Sequence, residues 1–396
     1  MPKHIWIINE YAGSPYYGME FRHYYLSREL IKLGYKVTII SATYSHLFKN
    51  HPKSGKEIID GIDYLWLKTL KYGNAHSKKR VLKWFIFSFK LFFLPFRLSK
   101  PNVIIVSPMA TTPVYPAWLL SKWYKAKFVF EVKDIWPQTL VEIGGYSPKH
   151  PFIKFLKKLE IFALKKADYI ISNLFNYQQY LDENKINRRF YLISNGIDLG
   201  ELQNIEPLND DIRNKIPSDK FIIGYTGTIG VANAIDVFLE ASKYIDNDDI
   251  IFVIVGDGQE KSKLINNYKN DKIIFLDSIA KKQIQSLLQL FDVCYIGWRN
   301  INIYKYGISA NKIFDYMYSG KPILHSFNGE NDLIKIANCG ITVPAEDPKA
   351  IAQGIIELYN MSSEMRNKLG NNGKNYVINN FSYQKLANDL VNIISK

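Results

Sequence analysis

Three residues on one predicted helix could together hold a phosphate and a ribose. Residues 309–322 read Ser-Ala-Asn-Lys-Ile-Phe-Asp-Tyr-Met-Tyr-Ser-Gly-Lys-Pro, an apolar stripe typical of a helix that ends at Gly320. Asn311 and Lys312 would lie in the first turn, where unpaired N–H groups and an ammonium favour an anion. Asp315 follows one turn later, where a carboxylate can accept hydrogen bonds from a diol. A solvent-facing Lys–Asp pair on an ordinary helix is the alternative.

A glycine-bearing turn offers a second candidate phosphate site. Residues 225–230, Tyr-Thr-Gly-Thr-Ile-Gly, follow an apolar strand and precede a helical pattern that begins near Ala234. A strand, a turn and a helix N-terminus in this order can bind an anion, and glycine lets the backbone approach it closely. Any Rossmann-like domain can carry a similar βα turn, and the motif matches neither the P-loop nor the dinucleotide fingerprint. Residues 255–258, Val-Gly-Asp-Gly, are interpreted as a sharp turn rather than a ligand contact.

Two places in the first half could contact a polar substrate. Residues 13–18, Gly-Ser-Pro-Tyr-Tyr-Gly, follow the first strand and precede a helix that contains Arg22 and His23. They could wrap a substrate, although a loop without a ligand fits equally well. Asp134 follows another strand, at the sheet edge where α/β proteins bind ligands. A plain turn before Pro137 is the alternative there.

Residues 79–100 form an aromatic segment with basic flanks. The segment includes Trp84, Phe85 and Phe92 and is interrupted by Lys90, so it is too short and too charged to span a bilayer. A helix lying in the lipid headgroup region fits this composition. A second basic stretch, 149–166, mixes lysines with apolar residues. The alternative is two core helices whose lysine stems lie along apolar surface.

The elements that must position these residues alternate regularly along the chain. Parallel sheets with right-handed crossovers are predicted, because apolar β-rich runs alternate with helical patterns. The sequence therefore indicates an α/β protein with two Rossmann-like domains facing across a cleft. A polar stretch separates them, which gives domains 1–197 and 198–380 and a C-terminal helix, 381–396, that could pack back on the first domain. The predicted strands are 4–9, 36–42, 64–69, 103–107, 128–133, 169–173, 191–194, 221–226, 250–255, 273–276, 293–298, 322–327 and 341–343.

Composition and charge narrow the class of protein. The chain has 396 residues, 47% of them hydrophobic, which suits two globular cores. Two cysteines, with no visible signal peptide, predict a reducing compartment. Residues 1–197 hold 30 Lys+Arg against 13 Asp+Glu, a net +17, and the remainder holds 21 against 24, a net −3. A basic half predicts a polyanionic partner. Nucleic acid is not expected, because no nucleic-acid-binding signature is present, and no histidine spacing suggests a metal.

Together these motifs resemble family 4 glycosyltransferases, which have the GT-B fold. The resemblance is closest to the subgroup that transfers N-acetylated amino sugars in O-antigen and capsule assembly, and it covers nearly the whole chain. It is carried by the order and spacing of residues 13–18 with Arg22-His23, 33–38, 134–137, 167–172, 194–198, 225–230, 255–258 and 310–322.

The resemblance implies a retaining, metal-independent transfer from a nucleotide sugar, expected to carry UDP, with no cofactor. The acceptor would be a polyprenyl-diphosphate-linked saccharide. The enzyme would work in the cytoplasm at the inner, anionic face of the plasma membrane. In the second domain, the implied donor contacts are Thr228 and Gly230 at the diphosphate, Lys312 as its counter-charge beside Asn311, Asp315 at the ribose, and Ser278 and Ile279 at the base.

In the first domain, the resemblance brings Gly18 close to the sugar phosphate and Asp134 to the sugar or the acceptor. Asp134 and Lys312 would be the residues nearest the reaction. Arg22, His23, Trp84, Phe85, Lys90 and Phe92 would serve the acceptor and the membrane.

This sequence departs from the family pattern at two points. Gly307 stands where the family has the first of two glutamates, and Gly230 is followed by Val-Ala-Asn-Ala instead of the usual Arg and Lys. Lys312 is therefore expected to take over much of the phosphate contact. Two rival functions remain open: a UDP-sugar 2-epimerase on the same fold, and a non-catalytic polyanion-binding protein.

Overall fold

The chain forms two compact units. The computed structural model describes residues 3–18, 21–73 and 77–396. The first unit comprises Met1–Ser194 together with Tyr383–Lys396, and the second comprises Asn195–Ser382. The sequence suggested breaks close to these positions, at 197/198 and 380/381.

The first unit is built on a sheet that has eight strands within the described residues. Their spatial order is β3-β4-β2-β1-β5-β6-β7-β8, and all neighbouring pairs are parallel except β3 with β4. The strands are β1 (His4–Ile8), β2 (Lys36–Ala42), β3 (Gly55–Ile59), β4 (Ile62–Leu67), β5 (Val103–Val106), β6 (Lys127–Val132), β7 (Tyr169–Ser172) and β8 (Phe190–Leu192). Every residue of β1 is buried, as expected for a strand with helices on both faces.

In the described part of this unit, six helices connect these strands. They are α1 (Arg22–Lys32), α2 (Lys78–Leu91), α3 (Val114–Tyr124), α4 (Gln138–Glu142), α5 (Pro151–Lys166) and α6 (Tyr177–Glu183). Helix α2 continues into a 3₁₀ turn, Leu94–Phe96. It packs against α3, and α3 packs against α5.

The second unit has a six-stranded parallel sheet. Its order is β11-β10-β9-β12-β13-β14, and its strands are β9 (Phe221–Thr226), β10 (Ile250–Val255), β11 (Ile273–Leu276), β12 (Val293–Gly297), β13 (Ile323–Ser326) and β14 (Gly340–Val343). The helices are α7 (Asp210–Arg213), α8 (Ile235–Ala241), α9 (Lys261–Asn267), α10 (Ile284–Leu288), α11 (Asn311–Ser319), α12 (Leu333–Ile336), α13 (Pro348–Asn360) and α14 (Ser363–Phe381). Strands β9 and β10 are wholly buried at its centre.

The last helix, α15 (Tyr383–Ser395), belongs to the first unit. Its apolar face includes Leu386 and Leu390 and packs against α1, where the rings of Tyr383 and Tyr25 lie 5.0 Å apart. The ammonium of Lys127 donates to the carbonyl of Ile394 at 3.0 Å. The chain thus begins and ends in the same unit.

Each of the thirteen predicted strands has a counterpart in the structure, whereas β3 was missed. This edge strand alternates half-buried and exposed residues before a buried Ile59, so it lacks the continuous apolar run by which the others were recognised. It joins β4 through Asp60 and Gly61, whose φ angles are 48° and 82°. An Asp-Gly pair with both φ values positive is a hairpin turn, and that signal could have revealed the strand.

Candidate functional site

Helix α11 starts with backbone donors that no side chain caps. It begins at Asn311 and follows Ala310, which cannot accept a hydrogen bond through its side chain. It ends at Ser319, and Gly320 follows in the left-handed region with a φ of 74°, which confirms the predicted helix and its glycine stop. The N–H groups of the first turn are therefore available to an anion.

Lys312 reaches from this first turn to the end of β9. Its ammonium donates to the hydroxyl of Tyr225 at 2.6 Å and to the side-chain oxygen of Asn233 at 3.0 Å. It also lies 4.3 Å from the centroid of the Tyr225 ring. Burial lowers the pKa of Lys312 to about 7, and within the described residues no carboxylate offsets this effect. A negative ligand would supply the missing counter-charge.

Glycines allow the backbone around Lys312 to pack closely. Gly227 has a φ of 138°, and a Cβ there would lie 3.0 Å from the Lys312 ammonium. A Cβ on Gly256 would lie 1.9 Å from the carbonyl oxygen of Gly227, and one on Gly258 would lie 2.1 Å from that of Ile229. The turn after β10 thus packs directly against the turn after β9. This agrees with the interpretation of residues 255–258 as a structural turn.

The predicted diphosphate residues lie on the turn after β9. The Thr228 side chain is exposed, while its carbonyl accepts from the Tyr225 hydroxyl at 2.6 Å and from the Asn233 amide at 3.0 Å. Gly230 precedes a 3₁₀ turn, Val231–Asn233, and α8 starts only after it. The glycine turn and α8 are therefore not continuous. A phosphate at this turn would meet the turn's own amides rather than those of a helix.

Asp315 lies on α11, about one turn after Lys312, and is partly buried. Burial raises the pKa of this carboxyl to about 6, while nearby Lys281 lowers it and Glu201 raises it. The amide of Gln285 donates to the backbone carbonyl of Asp315 at 3.0 Å, which ties α10 to α11. This hydrogen bond uses the backbone carbonyl of Asp315, so its carboxyl group can accept hydrogen bonds from a ligand.

Ser278 and Ile279 follow β11 at the same edge of the sheet. Hydrogen bonds from Ser278 and Lys261 lower the pKa of Asp257, so Ser278 lies beside the turn after β10. The structure therefore gathers the predicted donor residues of this unit at the carboxyl ends of β9 to β12, where open α/β sheets bind ligands.

In the first unit, Arg22 and His23 are buried in an ion-pair network. Arg22 donates to Glu131 of β6 at 2.8 Å and to the carbonyls of Ile193 and Ser194. His23 Nε2 lies 2.7 Å from the other Glu131 oxygen. Burial alone would raise the pKa of Glu131, but Arg22 and His23 together hold it well below its usual value. Both residues therefore join α1 to the sheet, in contrast to the acceptor or membrane contact predicted for them.

Gly18 and Asp134 lie on loops after β1 and β6. A Cβ on Gly18, whose φ is 128°, would lie 2.9 Å from the carbonyl oxygen of Leu47 and from the amide nitrogen of Lys49. This close contact between two loops by itself requires glycine. The Asp134 side chain is exposed, and its carbonyl accepts from the Trp136 amide at 2.9 Å.

The aromatic segment divides between core and surface. Trp84 is buried against Trp136 and Leu156, so it packs in the core and not at a membrane as predicted. Phe85 and Phe92 are exposed and Lys90 is partly exposed. The same surface also carries Phe89, Phe93 and Phe96, which are 62%, 46% and 83% exposed. No helix within residues 3–18, 21–73 and 77–396 is long and apolar enough to cross a membrane.

The sequence reasoning missed the residues that hold Lys312 in place. Tyr225, Asn233 and Gly227 all precede it by about 80 residues or more. Such contacts depend on which strands are neighbours, which no local spacing shows. The available signal was weaker: strands 221–226 and 293–298 were both predicted, and in a parallel sheet the loops that follow the strands lie at one edge.

Two family models together match most of the chain. "Glycosyltransferase Family 4" matches residues 16–201, and "Glycosyl transferases group 1" matches residues 220–361. An uncharacterized glycosyltransferase of Methanocaldococcus jannaschii is 27% identical over 78% of this chain and 80% of its own length. The Escherichia coli UDP-Gal:alpha-D-GlcNAc-diphosphoundecaprenol alpha-1,3-galactosyltransferase is 26% identical over 60% of this chain and 63% of its own.

Solved structures show the same fold. Sucrose-phosphate synthase from Thermosynechococcus elongatus superposes with a TM-score of 0.76 at 18% identity, covering 99% of this chain and 98% of that one. Anabaena HepE in complex with UDP and glucose gives a TM-score of 0.68 at 13% identity, covering the whole of both chains.

Proposed function

Because this chain belongs to the glycosyltransferases of the GT-B fold, we propose that it transfers a sugar from a UDP-sugar to a lipid-linked saccharide with retention of configuration. The observation that carries the proposal is the Lys312 ammonium, which lies beside a glycine turn and an uncapped helix start and has no carboxylate partner among the described residues. This arrangement suits a diphosphate, which would accept from the amides and supply the negative charge.

The similar proteins support the choice of donor and acceptor. The Escherichia coli relative is named for a UDP-linked donor and a diphosphoundecaprenol acceptor, and HepE was solved with UDP. For the present chain we propose a UDP-linked donor, an N-acetylated amino sugar as its sugar, and a polyprenyl-diphosphate-linked acceptor in surface polysaccharide assembly. Asp315 would accept from the ribose hydroxyls, and Ser278 and Ile279 would contact the base.

A peripheral position at the inner face of the plasma membrane is part of the proposal. Phe89, Phe93 and Phe96 expose aromatic rings, and residues 78–100 contain basic but no acidic side chains. On α5, Phe155 extends this surface, because its ring stacks 6.1 Å from that of Phe85. Aromatic rings that can enter the headgroup region, surrounded by lysines and arginines, suit an anionic lipid surface.

In the proposed reaction, the acceptor hydroxyl attacks the anomeric carbon on the face from which the diphosphate departs. The bond from this carbon to the phosphate oxygen breaks as the new glycosidic bond forms. The hydroxyl proton passes to the departing diphosphate, so no protein nucleophile is required. Lys312 and the amides of the glycine turn would stabilise the charge that develops on the leaving oxygens, without a cofactor or a divalent ion.

The test is a panel of UDP-sugars assayed for UDP release, with and without a lipid-linked saccharide and with EDTA present. We expect release from one donor that depends on the acceptor and persists in EDTA. The product's anomeric configuration, read by NMR, should match that of the donor. A strict cation requirement, or a failure of UDP to bind to the protein, would contradict the proposal.

The same assay separates the two rival functions. A sugar epimer formed from the donor alone would indicate a UDP-sugar 2-epimerase. A protein that binds polyanions with a steep salt dependence, but turns over no UDP-sugar, would be the non-catalytic alternative.

A further inference from the structure

A buried pair of opposite charges in the first unit lacks hydrogen-bonding partners. Lys83 of α2 is fully buried and Glu10, just after β1, is 1% exposed. Their charged atoms lie 3.9 Å apart, beyond hydrogen-bonding distance. Neither the Lys83 ammonium nor either Glu10 oxygen has a hydrogen-bond partner in the part of the chain that the structure describes. Buried charges without such bonds are costly, so these groups point to a polar ligand or to ordered water.

Other basic groups converge on the same place. Arg80 Nε donates to the Tyr11 hydroxyl at 3.2 Å, and His46 Nδ1 lies 2.7 Å from the Tyr72 hydroxyl. The Lys83 ammonium is 4.2 Å from the centroid of the Tyr11 ring and 5.7 Å from that of Tyr72. Two phenols thus bring three basic side chains together.

The charges of this group act on one another. Burial lowers the pKa of His46, and the positive charges of Arg80 and Lys83 lower it further. Burial also lowers the pKa of Lys83, Glu10 raises it and Arg80 lowers it. The carboxylate that the described residues place here is that of Glu10, whose pKa is raised by burial and lowered by Lys83 and Arg80. Arg80 is positively charged, and Lys83 and His46 can each gain a proton. Opposite them stands the Glu10 carboxyl group, whose ionisation is disfavoured by burial. This balance favours a negatively charged ligand.

Helix α2 is basic at its start and aromatic at its end. Its first two turns carry Lys78, Lys79, Arg80 and Lys83, and Ser77 caps its start by accepting from the Lys79 amide. Its far end and the following 3₁₀ turn carry exposed phenylalanines, of which Phe96 is 83% exposed. A polyprenyl diphosphate has the same arrangement: a charged head joined to an apolar chain. The fourteen-residue helix, about 21 Å long, would match the head and several prenyl units.

We propose that the first turns of α2 bind the diphosphate of the lipid-linked acceptor, with Arg80 and Lys83 as hydrogen-bond donors. The aromatic end of α2 then receives the nearest prenyl units. Glu10 holds the Lys83 ammonium in the site and accepts a hydrogen bond from a hydroxyl of the attached saccharide. The inference rests on the proposed function, because it assigns the site of that acceptor.

The test measures binding of geranyl diphosphate, a soluble short-chain probe, by calorimetry. UDP is present at saturation, so that the donor site cannot take up the probe's diphosphate. Geraniol, which lacks the diphosphate, is the second ligand. We expect geranyl diphosphate to bind and geraniol to bind at least about tenfold more weakly, which corresponds to the loss of one hydrogen bond to a charged group.

Three variants locate the binding site. Arg80→Gln changes a partly exposed side chain and should raise the Kd for geranyl diphosphate at least about tenfold. The double variant Lys83→Met/Glu10→Gln, which removes both buried charges together, should do the same while retaining a cooperative thermal transition. Arg97→Gln, the matched control at the aromatic end, removes the same charge and should leave binding unchanged.

The outcome distinguishes this inference from the proposed function. Equal binding of geranyl diphosphate to the wild type and to Arg80→Gln would overturn the inference, as would an equal loss in Arg97→Gln. If the variants still bind UDP and transfer sugar with an unchanged KM for the lipid-linked acceptor, the acceptor site lies elsewhere and the proposed function stands. If the wild type neither binds UDP nor transfers sugar, the proposed function itself fails.

Discussion

The affinity for the donor should depend on pH in a way set by Lys312 and Asp315. Burial lowers the pKa of Lys312 to about 7 and raises that of Asp315 to about 6. A diphosphate requires the lysine charged, and a ribose diol binds best to the ionised carboxylate. Affinity should therefore be greatest between about pH 6 and pH 7. It should fall on the alkaline side as Lys312 loses its proton, and on the acid side as Asp315 gains one.

The size of the loss of donor affinity at alkaline pH follows from the lowered pKa of Lys312. A bound diphosphate returns the Lys312 pKa towards its ordinary value of 10.5, so only the protonated form of the empty site binds well. Above about pH 7 the protonated fraction falls about tenfold per pH unit, and Kd should rise by the same factor, ~1.4 kcal/mol for each unit. Because half of the Lys312 side chains are already neutral at pH 7, the loss between pH 7 and pH 9 is about fiftyfold.

Calorimetry measures this effect in two ways. Kd for UDP is measured from pH 7.5 to 9, where the nucleotide's terminal phosphate is already ionised. Titrations at pH 8 in buffers of different ionisation enthalpy then give the protons taken up, which should be about 0.9 per UDP bound. Lys312→Arg is the control, because a guanidinium stays charged throughout and should abolish both the slope and the uptake.

The acid limb is measured with a UDP-sugar, whose diphosphate does not titrate in this range. In the wild type Kd should rise below about pH 6, whereas Asp315→Asn should show no such rise because it cannot be protonated. A wild-type Kd that stays constant from pH 7.5 to 9, with no proton uptake at pH 8, would refute the role given to Lys312. An acid limb that persists unchanged in Asp315→Asn would refute the role given to Asp315.

Four further predictions test other parts of the molecule. Lys312→Ala should lower turnover by about 10²-fold or more at saturating donor, while Lys335→Ala, which removes an exposed lysine on α12, should not; equal turnover in both would contradict the phosphate role. Gly256→Ala should weaken UDP binding at least about tenfold, because its Cβ would lie 1.9 Å from the Gly227 carbonyl oxygen, whereas Gly73→Ala, whose Cβ would meet no described residue within 4 Å, should bind UDP normally. Glu131→Gln should destabilise the first unit by about 3–5 kcal/mol in urea unfolding, since it leaves the buried Arg22 without its carboxylate; a loss under ~1 kcal/mol would show that the network is dispensable. Phe89→Ser/Phe93→Ser should reduce co-sedimentation with vesicles that contain phosphatidylserine, and Ile58→Ser, an exposed apolar residue on β3, should not; equal sedimentation of all three proteins would exclude this surface as the lipid contact.

The sequence predicted helix α11 well because every signal for it is local. The apolar stripe, the terminal Gly320 and the polar first turn all fall within fourteen residues, and the structure has α11 at that place. The support for Lys312 could not be predicted in this way. Tyr225 and Asn233 come from a distant part of the chain and meet Lys312 because β9 and β12 are neighbours.

In the first half of the chain, the surroundings of three predicted site residues could not be read from the sequence. Arg22 and His23 follow the predicted ligand loop 13–18, which suggested a substrate contact, and Trp84 lies in the aromatic segment 79–100, for which a membrane contact was predicted. In the structure Glu131 provides a buried carboxylate for the first two, and Trp136 and Leu156 cover the third. A buried ion pair between α1 and β6 leaves no periodic pattern in the sequence, because its partners are 109 and 108 residues apart.

The missing basic residues after Gly230 and the shifted pKa of Lys312 have a common explanation. A donor site with several cations would keep a large positive charge in a partly buried place when empty, which is costly. In the proposed donor site, Lys312 would be the one cation among the described residues, and above pH 7 it could lose its proton when the site is empty. A bound nucleotide would then supply the negative charge that stabilises the protonated lysine. The site would avoid a buried, unpaired charge when it is empty, and its affinity for the donor would in exchange depend on pH near neutrality.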